Sequence, residues 1–446
     1  MGKKKQHKKL SFHSNLVFFL VLINLSLFFI LVGFWSFTLY QMSVADVKFE
    51  LKGEEEITLI SGEAFSDPGF SADYCTQKKC LDISNLVSTN ISDIDSFNKK
   101  KTGDYNISYS LFYKNALKTW QKNSLRKVKI IDNKPPELTL SGEETIGIYE
   151  GDDFSDPGFS AMDDLEGDIT ERVSVSGEVN ASEPGVYKIS YSVSDESGNT
   201  SEKQRYIFVY KRWYTFSPTP TKTFDDLAQY VKDMGWDLSF GYYNIGNDKS
   251  YTFQGNKIYY GASLVKTLDA MYAYENTNVD SATKNLVRGA ITYSNNTSHK
   301  ALVDQLGFDN LRSYAEQIGM KHHLKGSSIY GDTYYFCDTT IEDQLAEWKH
   351  LWHLINTNPQ GEELKWYFIN NYWDNLSFFG SPTHMYKNGL YGSNYHEVGI
   401  IFADSPYIVA MLSTEGWRWN STTIVKDLSH RIYMINQLVA SGEYNL

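Results

Sequence analysis

The sequence predicts a multidomain chain with an N-terminal transmembrane helix, two all-β sandwiches and a C-terminal α/β domain. Three observations carry this reading. An uncharged apolar run fills Leu16–Tyr40, the motif Phe-Ser-Asp-Pro-Gly-Phe-Ser-Ala occurs at 65–72 and again at 154–161, and past Pro220 the hydrophobic spacing becomes mixed. The expected boundaries are 1–15 for a cytoplasmic basic segment, 16–40 for the helix, 45–132 and 137–211 for the sandwiches, and 222–446 for the α/β domain. A chain of 446 residues is too long for one ordinary domain.

The apolar run comes first. A helix of about 20 residues spans the ~30 Å hydrocarbon core, and Leu16–Tyr40 exceeds that length. Lys3, Lys4, Lys5, Lys8 and Lys9 precede it and no lysine follows closely. The positive-inside rule then places the N-terminus in the cytoplasm and everything from about Met42 outside. A cleaved signal peptide competes, since Ser43-Val44-Ala45 offers a small-x-small site. Its apolar core usually covers only roughly 7–15 residues, which favours a retained single-pass anchor.

Composition narrows the function classes. Hydrophobic residues are 41% and charged residues 22%, ordinary for globular material. The net charge of −12 excludes the basic footprint that nucleic acid requires. Cys75 and Cys80 are close enough to form a disulfide in an oxidising compartment, or to remain two free thiols; Cys337 reads as a small buried hydrophobe. No spacing matches a zinc site, and no metal or cofactor is expected.

The motif at Phe65 returns 89 residues later at Phe154, a domain-sized period. Each copy ends in an alternating strand after a Gly turn, Gly103–Tyr109 and Gly185–Tyr191. Period-two alternation with Asp-Pro-Gly turns predicts small antiparallel sandwiches. The two copies resemble immunoglobulin-like repeats of bacterial surface proteins, the second more closely. Asn133-Lys134-Pro135-Pro136 and Ser217-Pro218-Thr219-Pro220-Thr221 read as stiff linkers, which implies a stalk with cell-wall contact as an open role. Asp163, Asp164, Asp168 and Asp195 read as a solvated acidic turn in preference to Ca²⁺ ligands.

In the last domain Thr223–Met234 reads as a capped amphipathic helix, and Asp237–Ile245 with Tyr251–Phe253 as a hairpin. Leu264–Tyr274, Lys284–Thr292 and Ser298–Leu306 read as helices. Strands come next at His384–Asn388, Glu397–Phe402 and Tyr407–Ser413, before a closing helix over Thr422–Val439. The far strands of the sheet therefore come from the C-terminal end.

Ser263-Leu264-Val265-Lys266 opens the central helix, where residues three apart share a face. A lysine with depressed pKa can take the proton of a serine nucleophile. The spacing alone proves little, because Ser96, Ser124 and Ser281 also have a lysine three positions on. Ser263 is set apart by two downstream motifs, Ser294-Asn295-Asn296 and Lys387-Asn388-Gly389. In that order the three elements resemble the Ser-x-x-Lys, Ser-x-Asn and Lys-Thr-Gly motifs of penicillin-recognising serine enzymes. Ile291–Thr297 with Leu302–Gly307, and Ile408–Thr414, resemble class A β-lactamases, over roughly 223–440.

The resemblance implies roles by position. Ser263 would be acylated, Lys266 would accept its proton, Ser294 would relay protons, and Lys387 would attract the substrate carboxylate. Asn296 would hold the side-chain amide of the substrate, and the N–H groups of Ser263 and Leu390 would form the oxyanion hole, with Asn388 and Gly389 lining the same edge. The chain departs from the pattern in three places. Asn295 stands for Asp and Asn388 for Thr, and the stretch from Gly319 to Asp338 contains no Glu to drive deacylation. Asp332 is the one acid there before Asp338. The interval from Ser263 to Ser294 is also short, implying an open cleft. The expected function is a membrane-anchored serine hydrolase acting on β-lactam or peptidoglycan-like amides and esters. A slow penicillin- or wall-binding sensor is the alternative, and the missing Glu implies slow deacylation.

Overall fold

The computed structural model describes residues 6–91, 102–212, 215–322, 338–371, 382–415 and 419–446. The apolar run belongs to helix α1, Gln6–Ser43, of which the 28 residues Leu16–Ser43 are long and apolar enough to cross a membrane. Phe18, Phe29 and Trp35 are among its exposed apolar side chains, so the helix fits a membrane anchor or a signal peptide.

The first repeat contains β1 (Asp46–Leu51), β2 (Glu56–Ile60), β3 (Phe70–Cys75), β4 (Cys80–Asp82), β5 (Val87–Thr89), β6 (Gly103–Lys114) and β7 (Thr119–Ile131). The second contains β8 (Glu137–Leu140), β9 (Thr145–Tyr149), β10 (Phe159–Asp163), β11 (Gly167–Asp168), β12 (Ser174–Ser176), β13 (Gly185–Ser194) and β14 (Thr200–Tyr210). The sheets run β1-β3-β4 and β2-β7-β6-β5, then β8-β10-β11 and β9-β14-β13-β12. The connectivity is thus the same in both repeats, including the parallel pairs β2–β7 and β9–β14. Cys75 and Cys80 face each other across β3–β4 and form a disulfide.

The repeated Asp-Pro-Gly has a structural reason. Asp67 accepts the N–H of Gly69 and the hydroxyl of Tyr109, and pairs with Arg126 at 3.4 Å. Arg126 is fully buried and donates to the carbonyls of Lys52, Glu54 and Gly69. The second copy repeats the arrangement with Asp156, Tyr191 and the buried Arg205, which donates to Asp156, Ser141 O and Gly158 O. Burial, then the hydrogen bond to Asp156, pushes the Tyr191 phenol up to about 12, so it stays a donor.

By contact the chain divides into two units: residues 1–138, 160–173 and 192–201, and residues 139–159, 174–191 and 202–446. The division passes through the second repeat, not between the repeats and the C-terminal domain. Within the second unit Phe208 and Tyr210 of β14 pack on Met434 and Leu438 of the last helix.

The C-terminal region opens with α2 (Phe224–Asp233), capped by Thr223 with Asp226 in a capping box. Next come β15 (Leu238–Asn244), β16 (Lys249–Phe253), the short β17 (Tyr259–Tyr260) and a 3-10 turn over Ala262–Val265. Helices α3 (Lys266–Asn276), α4 (Ser281–Thr292), α5 (Asn296–Leu306) and α6 (Phe308–Gln317) succeed it. Then come β18 (Asp338–Thr339), α7 (Ile341–Thr357), α8 (Gly361–Ile369), β19 (His384–Tyr391), β20 (Asn394–Ile401), β21 (Tyr407–Ser413) and α9 (Trp419–Ala440). The expected helices and strands are present. Three helices, α6 to α8, were not expected.

The antiparallel sheet runs β16-β15-β21-β20-β19, so its far strands do come from the C-terminal end. It lies between two cores. Val398, Ile400, Ile408, Ala410 and Leu412 join the core with α3 to α8. Tyr395, Ile401, Tyr407, Val409 and Met411 join the core with α2 and α9. Alternate side chains of one strand serve opposite faces, which explains why β21 reads as a continuous apolar run.

Replacing Arg126 or Arg205 by Met strands a carboxylate and several carbonyls, a loss of about 3–5 kcal/mol. The exposed pair Lys127–Glu56 sets the comparison: solvent screens it, so Lys127→Met leaves the unfolding midpoint nearly unchanged. Urea unfolding of the three variants of the full chain checks the contrast.

Candidate active site

Ser263 lies in the 3-10 turn that β17 feeds into α3. β17 is held on one side by β18, with Tyr259 opposite Thr339 and Tyr260 opposite Asp338. On the other side Nε2–H of His396 donates to Tyr260 O at 2.8 Å, while its Nδ1 accepts the N–H of Ser413 at 3.2 Å. Those two bonds select the tautomer. Burial lowers the His396 pKa to about 4, keeping the ring neutral at physiological pH. Ala262 then takes φ +50°, a left-handed conformation that a non-glycine residue adopts only when its surroundings enforce it. The outcome is a tight turn with Ser263 half-exposed and Lys266 buried behind it.

The second element joins α4 to α5. Ser294 has φ +52°, and the next residue, Asn295, caps α5 by accepting the N–H of Ser298 at 2.9 Å. Asn and Asp are both good caps, so Asn at this place fits the local geometry. The third element is on β19, the edge strand. A Cβ on Gly389 would lie 2.4 Å from Gly261 O. Only glycine lets the strand pass this close to the turn that carries Ser263.

These elements bring the expected residues together. Lys266 Nζ donates to Ser263 Oγ at 2.6 Å and to Asn296 Oδ1 at 2.8 Å, and it lies 3.2 Å from Ser294 O and 3.5 Å from Ser294 Oγ. Lys387 Nζ donates to Ser294 Oγ at 3.0 Å, to Asn388 O at 3.0 Å and to Asn388 Oδ1 at 3.2 Å. The bond to Asn388 Oδ1 leaves its NH₂ as the group for other partners. Burial and the neighbouring Lys266 ammonium hold the Lys387 pKa well below the ordinary lysine value, against the opposing pull of Glu397. Leu390 is exposed at the open end of the same strand. Asp332 and Cys337 lie outside the described residues.

A supporting layer was not legible in the sequence. His299 Nδ1 and Asp269 Oδ2 are 2.5 Å apart and almost fully buried, joining α5 to α3 between the elements that carry Asn296 and Lys266. Glu347 on α7 is fully buried, and burial together with Asp269 and Asp343 pushes its pKa well above the usual carboxylate range, against a Gln344 hydrogen bond. The available signal was a polar residue inside an apolar helix face, as with Asp269 between Leu268 and Ala270.

Comparison with known proteins assigns residues 278–435 to the pattern of the β-lactamase enzyme family and residues 138–209 to the Ig-like domain of bacterial surface proteins. A curated relative, the pesticidal crystal protein Cry22Aa of Bacillus thuringiensis, is 32% identical over 130 residues, 27% of this chain and 16% of its own length. The chain therefore spans only a small part of that relative. Among solved structures, a β-lactamase from Sphaerobacter thermophilus is 14% identical, with a TM-score of 0.42, covering 49% of this chain and 98% of its own. A structure of PBP-A gives the same four values. An ancestral class A β-lactamase gives 16%, 0.39, 47% and 98%. Residues 278–435 are thus similar to the β-lactamase enzyme family, downstream of a stretch, 138–209, similar to the Ig-like domain of bacterial surface proteins.

Proposed function

We propose that the chain is a membrane-anchored, extracytoplasmic serine hydrolase acylated at Ser263, acting on β-lactam or peptidoglycan-like amide and ester substrates. The contact between Lys266 Nζ and Ser263 Oγ, 2.6 Å within a mostly buried group of polar side chains, carries this reading. In this reading α1 is the anchor, 45–132 and 137–211 are two Ig-like modules contacting the wall, and 222–446 is the hydrolase. The Cys75–Cys80 disulfide suits an oxidising compartment.

The reaction uses the bonds described above. Ser263 Oγ attacks the carbonyl carbon as its proton moves to Lys266, whose ammonium must first have released a proton. The developing oxyanion takes hydrogen bonds from the N–H groups of Ser263 and Leu390. Collapse breaks the C–N bond, and Ser294 Oγ, between the two lysine nitrogens, passes the proton to the leaving nitrogen. Asn296 binds the substrate amide, and Lys387 with the Asn388 amide receives its carboxylate beside Gly389. Hydrolysis of the ester by water then frees Ser263. The stretch from Gly319 to Asp338 has no Glu, which favours slow release of the acyl group and keeps the wall-binding sensor as the second reading.

A fluorescent penicillin tests the proposal. Covalent label appears on the wild-type chain, is absent in Ser263→Ala, and forms about 10³-fold more slowly in Lys266→Ala. No label on the wild type, with no ester hydrolysis, overturns the enzyme reading; the rate of label loss separates hydrolase from sensor.

The lowered pKa of Lys387 has a definite sign. Its charge is present below the folded pKa and is lost as pH rises through it. Labelling therefore falls on the alkaline side, below the ordinary lysine range, and Lys387→Arg moves that fall upward. Stopped-flow labelling against pH checks both. Gly389→Ala, which drives a methyl into Gly261 O, lowers the labelling rate at least about 10²-fold in a chain whose circular dichroism is unchanged.

A further inference from the structure

Asp132, Asp163 and Asp195 each bring a carboxylate oxygen within 4.8 Å of the others. All three lie in the first unit. The expectation of a solvated acidic turn does not hold for Asp163 and Asp195, which are 5% and 6% exposed. It does hold for Asp164, which is exposed and pairs with Lys134, and for Asp168, which accepts the N–H of Thr170. Among the described residues no lysine or arginine lies within ion-pair distance of the three clustered acids; the Lys134 ammonium, paired with Asp164, interacts with Asp132 from farther away.

The local bonds leave one oxygen over. Asp195 accepts the N–H and the side-chain amide of Asn199, each at 2.8 Å, and Asp132 Oδ1 accepts the N–H of Lys134. Asp163 Oδ1 accepts the N–H groups of Leu165 and Glu166, both at 2.9 Å. Asp163 Oδ2 is buried with no hydrogen-bond partner. A buried, unpaired carboxylate oxygen beside two further carboxylates is unfavourable unless a cation joins them.

The first repeat shows that the fold itself does not need these acids. Matching Phe65–Ala72 to Phe154–Ala161 puts Tyr74 at the place of Asp163, and matching Tyr109 to Tyr191 puts Tyr113 at the place of Asp195. Tyr74 and Tyr113 pack on each other with ring centroids 4.9 Å apart, and on Trp120. One repeat closes this end with aromatic rings. The other closes it with carboxylates.

We propose that Asp132, Asp163 and Asp195 bind a Ca²⁺ ion. The donors are all hard oxygens, which disfavours transition metals. Three carboxylates supply three to six oxygens, with water completing the six to eight that Ca²⁺ takes; Mg²⁺ demands stricter octahedral geometry and sheds water reluctantly. The ion joins Asp132, just after β7, to the ends of β10 and β13, and so braces the Asn133–Pro136 linker. Its strength belongs to the extracellular range, a Kd of about 0.1–1 mM.

Terbium luminescence under direct excitation tests this on the full chain in detergent micelles. Terbium binds, Ca²⁺ displaces it at millimolar concentration, and tenfold more Mg²⁺ is needed. Asp163→Asn and Asp195→Asn each weaken Ca²⁺ at least tenfold, while Asp164→Asn leaves it unchanged. Proteolysis at the linker slows in Ca²⁺ for the wild type and Asp164→Asn, and does not slow for Asp163→Asn or Asp195→Asn. Absence of a Ca²⁺-competed signal from the folded wild type, or equal Ca²⁺ affinity in wild type and Asp163→Asn, overturns the site. Should an Asn variant fail to fold, the wild-type competition and proteolysis decide alone.

Discussion

Two lysine ammonium groups withdrawn from water organise the C-terminal region. Lys266 and Lys387 are 1% and 0% exposed, and both reach the hydroxyl of Ser294. An ammonium is costly to dehydrate unless oxygens replace its water. Ser263, Ser294, Asn296 and Asn388 supply those oxygens, so the polar residues of the site double as a hydration shell. The second lysine adds repulsion to burial, and the two effects together hold the pKa of Lys387 well below the ordinary lysine value. Ser263 lies in contact with the first of these lysines, Lys266.

Holding that arrangement requires rigid support, because the hydroxyl and two amines must stay within hydrogen-bond reach. The support comes from three directions. His396 ties the strand before Ser263 to the sheet, the bare Gly389 lets β19 lie against Gly261, and the buried Asp269–His299 contact joins α3 to α5. Left-handed backbone at Ala262 and Ser294 is strain held by these contacts. None of the supports is a reacting group, yet each fixes one side of the triangle formed by Ser263, Ser294 and Lys387.

The two β repeats apply one scaffold to different ends. A buried Arg–Asp–Tyr knot recurs in both and secures the Asp-Pro-Gly turn to the neighbouring strands. Away from that knot the side chains diverge, with tyrosines and a tryptophan in one copy and carboxylates in the other. Repetition of the backbone pattern therefore does not imply repetition of chemistry.

Much of this was legible in the chain itself. The apolar run, the repeated Asp-Pro-Gly, the hairpin at Gly246 and the strands near the C-terminus arise from local periodicity and turn chemistry, which depend on neighbours in sequence. The motif order of Ser263, Ser294 and Lys387 pointed to one site. Helix α7 was missed because it buries Asp343, Gln344 and Glu347 beside its apolar residues, which blurs the amphipathic pattern. Helices α6 and α8 each bury one face, with Leu311, Tyr314 and Ala315 in α6 and Leu364, Tyr367 and Phe368 in α8, and their spacing was legible but not read. Asp269, His299 and Glu347 were missed because a buried polar residue looks like any other until its partner is known. Likewise Asp163 read as an exposed turn residue, since Asp132 and Asp195 are distant in sequence. What the sequence by itself determined was which chemical groups the chain owns and which local elements carry them. Only the tertiary structure decided which groups are dry and which meet, because burial and proximity are properties of segments packed together, and those properties set the charge state of a lysine or the pairing of a carboxylate.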